Sequence, residues 1–168
     1  AGLKFHSGNP VTAEDCAWSL QRVVIMNKTS GFLLTQLGWD KGNVKDLIKA
    51  PDASTLTLNV PAGFAPTLVL NMMTSIVASV VDMKVALANQ KDGDLGNAWM
   101  QTRTAGSGAY QLTSWQASDR VICDVNPHSS VDAFQGLPCS RFSLSAVRTA
   151  SQRNTTTPAA KMKAPMLE

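Results

Sequence analysis

The sequence predicts an α+β fold in which helices pack against antiparallel hairpins, one domain followed by a tail. Three observations carry this. A capped amphipathic helix follows a sharp turn near residue 10, and hairpin patterns recur at 44–60 and 108–126. The third is size: 168 residues, 44% hydrophobic and 16% charged, support one real core and are too few for two full domains.

The first element is a corner. In "FHSGNPVTAED", residues 5–15, Ser7-Gly8-Asn9-Pro10 is turn punctuation: Gly8 tolerates positive φ, and Pro10 fixes its own φ and pushes Asn9 towards extended geometry. Thr12 is placed to accept from the backbone N–H of Asp15, and Glu14 and Asp15 set negative charge against the positive end of a helix dipole. The helix that follows, about 12–27, has Ala13, Cys16, Ala17, Leu20 and Val24 on one apolar stripe, with Glu14, Gln21 and Arg22 lying elsewhere.

"SGFLLTQLG" predicts a short second helix closed by Gly38, with Trp39 in the loop beyond. "VKDLIKAPDASTLTLNV" reads as a hairpin turning at Pro51-Asp52-Ala53-Ser54, its second strand alternating Leu56, Leu58 and Val60 with Thr55, Thr57 and Asn59. "PAGFAPTLVLNMMTSI" places Pro66 near a first helical position before an almost wholly apolar run, the pattern of a helix buried on most sides. A short helix is expected at about 82–89. "GAYQLTSW" and "RVICDVN" form the last hairpin across "QASD", with Tyr110 and Leu112 on one face and Val121, Cys123 and Val125 alternating similarly. Beyond Pro127, Ser, Thr, Pro and Ala dominate, and only "RFSLSAV" alternates like a strand, so 128–168 is expected to be a weakly structured tail.

Charge excludes some functions. The formal charge is +3, but the Lys and Arg residues are scattered without a basic run or aromatic interleaving, so nucleic acid is not indicated. The most apolar stretch, "TLVLNMMTSIVASVV", is shorter than a bilayer crossing and contains Asn71, Thr74 and Ser75; it reads as a buried helix and not as a membrane span. No signal peptide is visible at Ala1. Cysteines 16, 123 and 139 lack metal spacing, and an odd number cannot all pair within one chain.

No cofactor or metal is expected. His6 and Cys16 could form a nucleophile pair, since a thiol near a helix N-terminus can be activated, but Cys16 lies on the buried stripe and no third orienting group is assignable. A buried structural thiol is the better reading. Gly106-Ser107-Gly108 precedes a strand, whereas phosphate loops lead into a helix. Asp40, Asp46, Asp52, Asp92 and Asp94 are spread over turns, and Asp92–Gly96 lacks a calcium-loop ladder. The tryptophans at 18, 39, 99 and 115 suit packing, and Cys16 and Cys123 both fall on inward faces, where a disulfide is geometrically possible but not indicated.

Two blocks do resemble a known family. "GLKFHSGNPVTAEDCAWSLQRV" and "DGDLGNAWMQTRTAGSGAYQLTSWQASDRVICDVNP" are similar in content, order and separation to blocks of the extracytoplasmic solute-binding proteins of ABC transporters, family five, the peptide binders. "DGDLGNAW" points to the dipeptide-transport branch. The resemblance covers about 1–127. Ala109 stands where the family usually has proline, and His128-Ser129-Ser130 replaces an aromatic pair and Gly-x-Pro. "ASQR" at 150–153 resembles the family's next segment before the pattern is lost, as a shifted reading frame would produce; retranslating the DNA in its other frames tests this.

The resemblance implies a periplasmic-binding-protein-like fold, of which this chain is the accessory part of the first lobe. It also implies a periplasmic location, a peptide or other small solute, and ABC permease subunits as partners. Family members close two lobes on the solute; this chain matches one wall, so no ligand contact carries over. The carried-over residues are structural: Gly8, Pro10, Thr12, Asp15, Trp18 and Arg22 at the turn-to-helix corner, and Gly106, Gly108, Tyr110 and Trp115 at the second hairpin. The leading expectation is therefore a non-enzymatic substrate-binding component, with two alternatives. One is a truncated interaction domain that self-associates through exposed apolar faces; the other is a hydrolase built on Cys16.

Overall fold

The computed structural model describes residues 2–61 and 63–129 and, by backbone, the strands at 141–146 and 160–163. Helix α1, Ala13–Met26, begins as its cap residues dictate. Thr12 Oγ1 accepts from the Asp15 N–H at 3.3 Å while the Asp15 carboxylate accepts from the Thr12 N–H at 3.0 Å, a reciprocal capping box. Ala13, Ala17, Leu20 and Val24 are buried on the predicted stripe. Asp15 and Ser19 are buried with them because each has a distant partner: Met83 N–H donates to Asp15 Oδ1 at 3.2 Å, and Val81 N–H to Ser19 Oγ at 3.0 Å.

After a 3-10 turn at Thr29–Gly31, α2 (Phe32–Thr35) leads to Gly38, left-handed at φ 79°. Trp39 is fully buried, its indole Nε1 donating to the Asn59 carbonyl at 2.9 Å. The core gathers around it from Leu34, Leu37, Val44 and Ile48, none with exposed surface, under Leu20 and Val24 of α1. Each such side chain contributes about 1.5–3 kcal/mol of burial free energy.

The hairpin expected at 44–60 is only partly a hairpin. Val44–Leu47 is a helical turn, α3, followed by β1 (Ile48–Lys49), which pairs antiparallel with β2 (Thr57–Leu58). Asp40 Oδ1 accepts from the Gly42 and Asn43 N–H groups and the Asp40 carbonyl from the Val44 N–H, winding the first half before a strand can form. The turn lies where expected, with Asp52 Oδ1 accepting from the Ser54 and Thr55 N–H groups.

The apolar run after Pro66 also differs from expectation. Helix α4 spans only Pro66–Met73, with Pro66 in its first turn, and gives way to a 3-10 turn at Ile76–Ala78. It is not buried on most sides: Val69 and Val77 enter the core and Met72 and Met73 pack against it, while Leu68, Leu70 and Ile76 face outward. Among the described residues no helix is long and apolar enough to cross a membrane.

Helix α5, Met83–Ala88, falls where a short helix was expected, and α6, Asn97–Met100, is an addition. Strands β3 (Tyr110–Gln116) and β4 (Arg120–Val125) pair antiparallel, opposing Tyr110 to Val125 and Leu112 to Cys123. A bulge between Leu112 and Ser114 then sets Trp115 opposite Val121, so Tyr110, Leu112 and Trp115 share a face that strict alternation would have broken. β5 (Arg141–Ala146) and β6 (Ala160–Lys163) extend the sheet in the order β3-β4-β5-β6. β5 falls on the stretch whose alternation suggested a strand, while β6 is a strand where only weakly structured tail was expected; the other residues beyond Ser129 lie outside the described residues.

Candidate functional site

The corner near residue 10 and the segment before β3, about a hundred positions apart, are joined in space. The corner closes on itself first: Phe5 N–H donates to Asn9 O at 2.8 Å, Gly8 N–H to Phe5 O at 2.9 Å, and Lys4 bridges Pro10. Phe5 is fully buried beneath it. Gly8 is left-handed at φ 88°, so conformation asks for glycine, while a Cβ there would make only ordinary contact with His128 Nε2 at 3.4 Å.

His6 makes the crossing. Its backbone N–H donates to Gly106 O at 2.9 Å, its Nε2 lies 3.2 Å from Gly108 O, and its Nδ1 lies 3.2 Å from Thr104 Oγ1. Because a carbonyl only accepts, the Nε2 nitrogen carries a proton towards Gly108, while Nδ1 pairs with the Thr104 hydroxyl. Asn126 fastens the far side. Its N–H donates to Ala109 O at 2.8 Å, its Nδ2 to Gly108 O at 2.9 Å, and its Oδ1 accepts from His128 N–H at 2.9 Å.

Asp82 is the hub that residue-by-residue sequence reading passed over. It is fully buried, accepts from Ser7 Oγ, from Asn9 Nδ2 at 2.9 Å and from Val85 N–H at 3.1 Å, and its own N–H donates to Ala105 O at 2.8 Å. One side chain thus caps α5 and holds the corner. Burial pushes its carboxyl up, but hydrogen bonds from Ser7, Val85, Asn9 and Lys84 outweigh this and hold it below the ordinary aspartate range. Its sequence signal was modest: an aspartate placed as an N-cap three residues before Val85.

The remaining singled-out residues sit around this joint. Arg22 Nε donates to Leu95 O at 2.9 Å, tying α1 to the 92–96 turn; burial draws its guanidinium down, partly countered by Asp94. Asp94 accepts from the N–H groups of Ala98, Lys91 and Gly96, which keep it ionised to lower pH than usual. Trp18 is half-buried and lines an open cleft of about 730 Å³ with Glu14, Lys45, Ile48 and Met83. Tyr110 opens β3, and Trp115, opposite Val121, is 47% exposed.

The geometry favours holding over reacting. His6 uses both ring nitrogens on Gly108 and Thr104, and burial and then Asp15 push the Cys16 thiol up, away from the reactive thiolate. Burial and Asp124 do the same to Cys123; both thiols are free, and Cys139 lies outside the described residues. Among the described residues no three His, Cys, Asp or Glu side chains gather as a metal site, and every buried side-chain nitrogen or oxygen has a partner.

Comparison with known proteins places this architecture. The profile of the bacterial extracellular solute-binding proteins, family 5 (middle), matches residues 1–153. The probable D,D-dipeptide-binding periplasmic protein DdpA of Escherichia coli K12 is 32% identical over 126 residues, covering 74% of this chain and 22% of the relative. Among solved structures, the murein tripeptide binding protein MppA of Escherichia coli superposes with a TM-score of 0.57 at 24% identity, over 76% of this chain and 26% of that one. Haemophilus influenzae OppA, in complex with RPPGFSPFR, superposes with a TM-score of 0.57 at 22% identity and the same coverage. The chain therefore spans about a quarter of the length of these proteins, and its periplasmic-binding-protein-like architecture is shared with them. With a profile match over residues 1–153 and a relative 32% identical over 126 residues, this chain belongs to the family 5 bacterial extracellular solute-binding proteins.

Proposed function

We propose that the chain is the accessory part of the first lobe of a substrate-binding component in an ABC-type peptide or dipeptide importer. In this reading it is a non-enzymatic wall that helps enclose the solute outside the cytoplasm and works with permease subunits. The observation that carries it is the family match over residues 1–153. The joint supports it: Gly8, Pro10, Thr12, Asp15, Trp18, Arg22, Gly106, Gly108, Tyr110 and Trp115 act as folding residues that fix one wall in shape. A preformed wall spares a closing binding protein the entropy of ordering it.

The test has two arms. Titrated calorimetrically with RPPGFSPFR or with a D,D-dipeptide, the isolated chain gives no saturable binding below about 1 mM, since one wall leaves most of a ligand in water. Substituted for the matching segment of DdpA, residues 1–127 give a folded chimaera that binds the D,D-dipeptide as unmodified DdpA does. Tight binding by the isolated chain, or a folded chimaera that has lost the binding its parent shows, overturns the proposal.

A further inference from the structure

The chain holds a single Asp-Gly pair, Asp92-Gly93, and no Asn-Gly. Both residues are left-handed, at φ 48° and 73°, in an exposed turn closed by Asp94 N–H donating to Lys91 O at 2.9 Å. The other turn aspartates are engaged: the carboxylates of Asp40, Asp52 and Asp94 accept from backbone N–H groups, and Asp46 and Asp119 lie beside Lys49 and Arg120. Among the described residues, Asp92 is the one aspartate whose carboxylate has neither a hydrogen bond nor an ion pair, and the N–H of Gly93 beside it has no acceptor.

We propose that Asp92-Gly93 is a self-modifying site, which converts to isoaspartate and thereby loosens the turn that Arg22 grips. The Gly93 nitrogen attacks the carbon of the protonated Asp92 carboxyl; a C–N bond forms, the carboxyl hydroxyl leaves with the amide proton as water, and a five-membered succinimide results. Water then adds to the ring carbonyl that was the Asp92 main-chain carbonyl and breaks its bond to the Gly93 nitrogen. The chain now runs through the Asp92 side chain, and the former main-chain carbon ends as the free carboxylate. One water leaves and one returns, so no other reactant is required. Both reacting groups lie in the turn, and neither a partner nor a ligand is called for.

The turn offers little resistance. Attack requires the peptide between Asp92 and Gly93 to swing towards the side chain; glycine permits this most readily, and a Cβ added at Gly93 would meet nothing within 4 Å. Positive φ at Asp92 is a conformation that an L residue gains little by keeping. The product matters because isoaspartate inserts Asp92 Cβ into the main chain between Lys91 and Asp94. Asp94 Oδ1 clasps this turn, accepting from the Lys91 and Gly96 N–H groups at 2.9 Å each, and Leu95 within it offers its carbonyl to Arg22 Nε at 2.9 Å. A longer turn draws Lys91 away from Asp94 and weakens the tie to α1. This is independent of solute binding and of the proposal above.

Ageing the full folded chain for weeks at mildly acidic pH, followed by tryptic peptide mapping, tests this. The expected result is that peptides ending at Arg103 split into two species of one mass, with fragmentation placing the extra backbone carbon at residue 92. Asp92→Glu, whose ring would be six-membered, gives no second species, and Gly93→Ala gives it at least about fivefold more slowly, because its Cβ crowds the attacking nitrogen. Circular dichroism checks that both variants fold; should one fail, the other carries the control. The isomerised chain, separated by chromatography, unfolds at lower urea than its parent. No second species in the folded chain, one that forms only in chains unfolded by urea, one indifferent to both substitutions, or an isomerised chain as stable as its parent overturns the proposal.

Discussion

Replacing Asp82 by alanine strips the acceptor from Ser7 Oγ, Asn9 Nδ2 and the Val85 N–H at once, leaving buried donors unmatched. The expected cost is about 2–4 kcal/mol in urea unfolding, against about 1 kcal/mol for Ser7→Ala, which removes one bond. The Asp82 carboxyl is held below its ordinary value, so the fold favours the ionised form. Its stabilising contribution is therefore complete above the unfolded aspartate pKa of about 4 and is lost as the pH falls through the lower folded value. The urea midpoint of the wild-type chain should drop below about pH 4, and Asp82→Asn should flatten that drop; an unchanged profile in the variant would assign the acid sensitivity elsewhere. The Thr12 and Asp15 cap was legible because its donor and acceptor lie three residues apart. The role of Asp82 was not, because Ser7 and Asn9 reach it from more than seventy positions away.

Among the elements, α5 and α6 meet at a point where only glycine fits. Gly96 caps α6 at φ 75°, and a Cβ added there would stand 2.6 Å from the Ala86 carbonyl oxygen. Gly93, in the same turn at φ 73°, faces open space. Gly96→Ala should therefore cost about 2–4 kcal/mol, combining backbone strain with a collision, and Gly93→Ala about 1 kcal/mol from strain alone. Equal losses in chemical denaturation would mean that the approach of the two helices is loose. Element type was readable where a local signal and the tertiary setting agree, as in α1, α5 and the β3–β4 hairpin. It failed at Val44–Leu47, where the Asp40 turn wound an alternating stretch into a helix, and at α4, where an apolar pattern announces burial without saying which neighbour supplies it.

On the scale of the whole molecule, the α+β class, the antiparallel pairing and the family followed from two blocks of sequence, whereas the contact between those blocks did not. No periodicity or spacing encodes that His6 should lie against Gly106 and Gly108. That crossing has a consequence for how the protein is made. Synthesis runs from the N-terminus, so residues 5–9 leave the ribosome well before Gly106 exists, and the corner must wait, unlatched, for most of the described chain. Contacts between such distant positions form late, so His6→Ala should hasten unfolding while leaving the refolding rate nearly unchanged in stopped-flow traces. Until Gly106 and Gly108 have been made, the nascent segment that carries His6 stays pliable, free to sample shapes that the finished fold forbids.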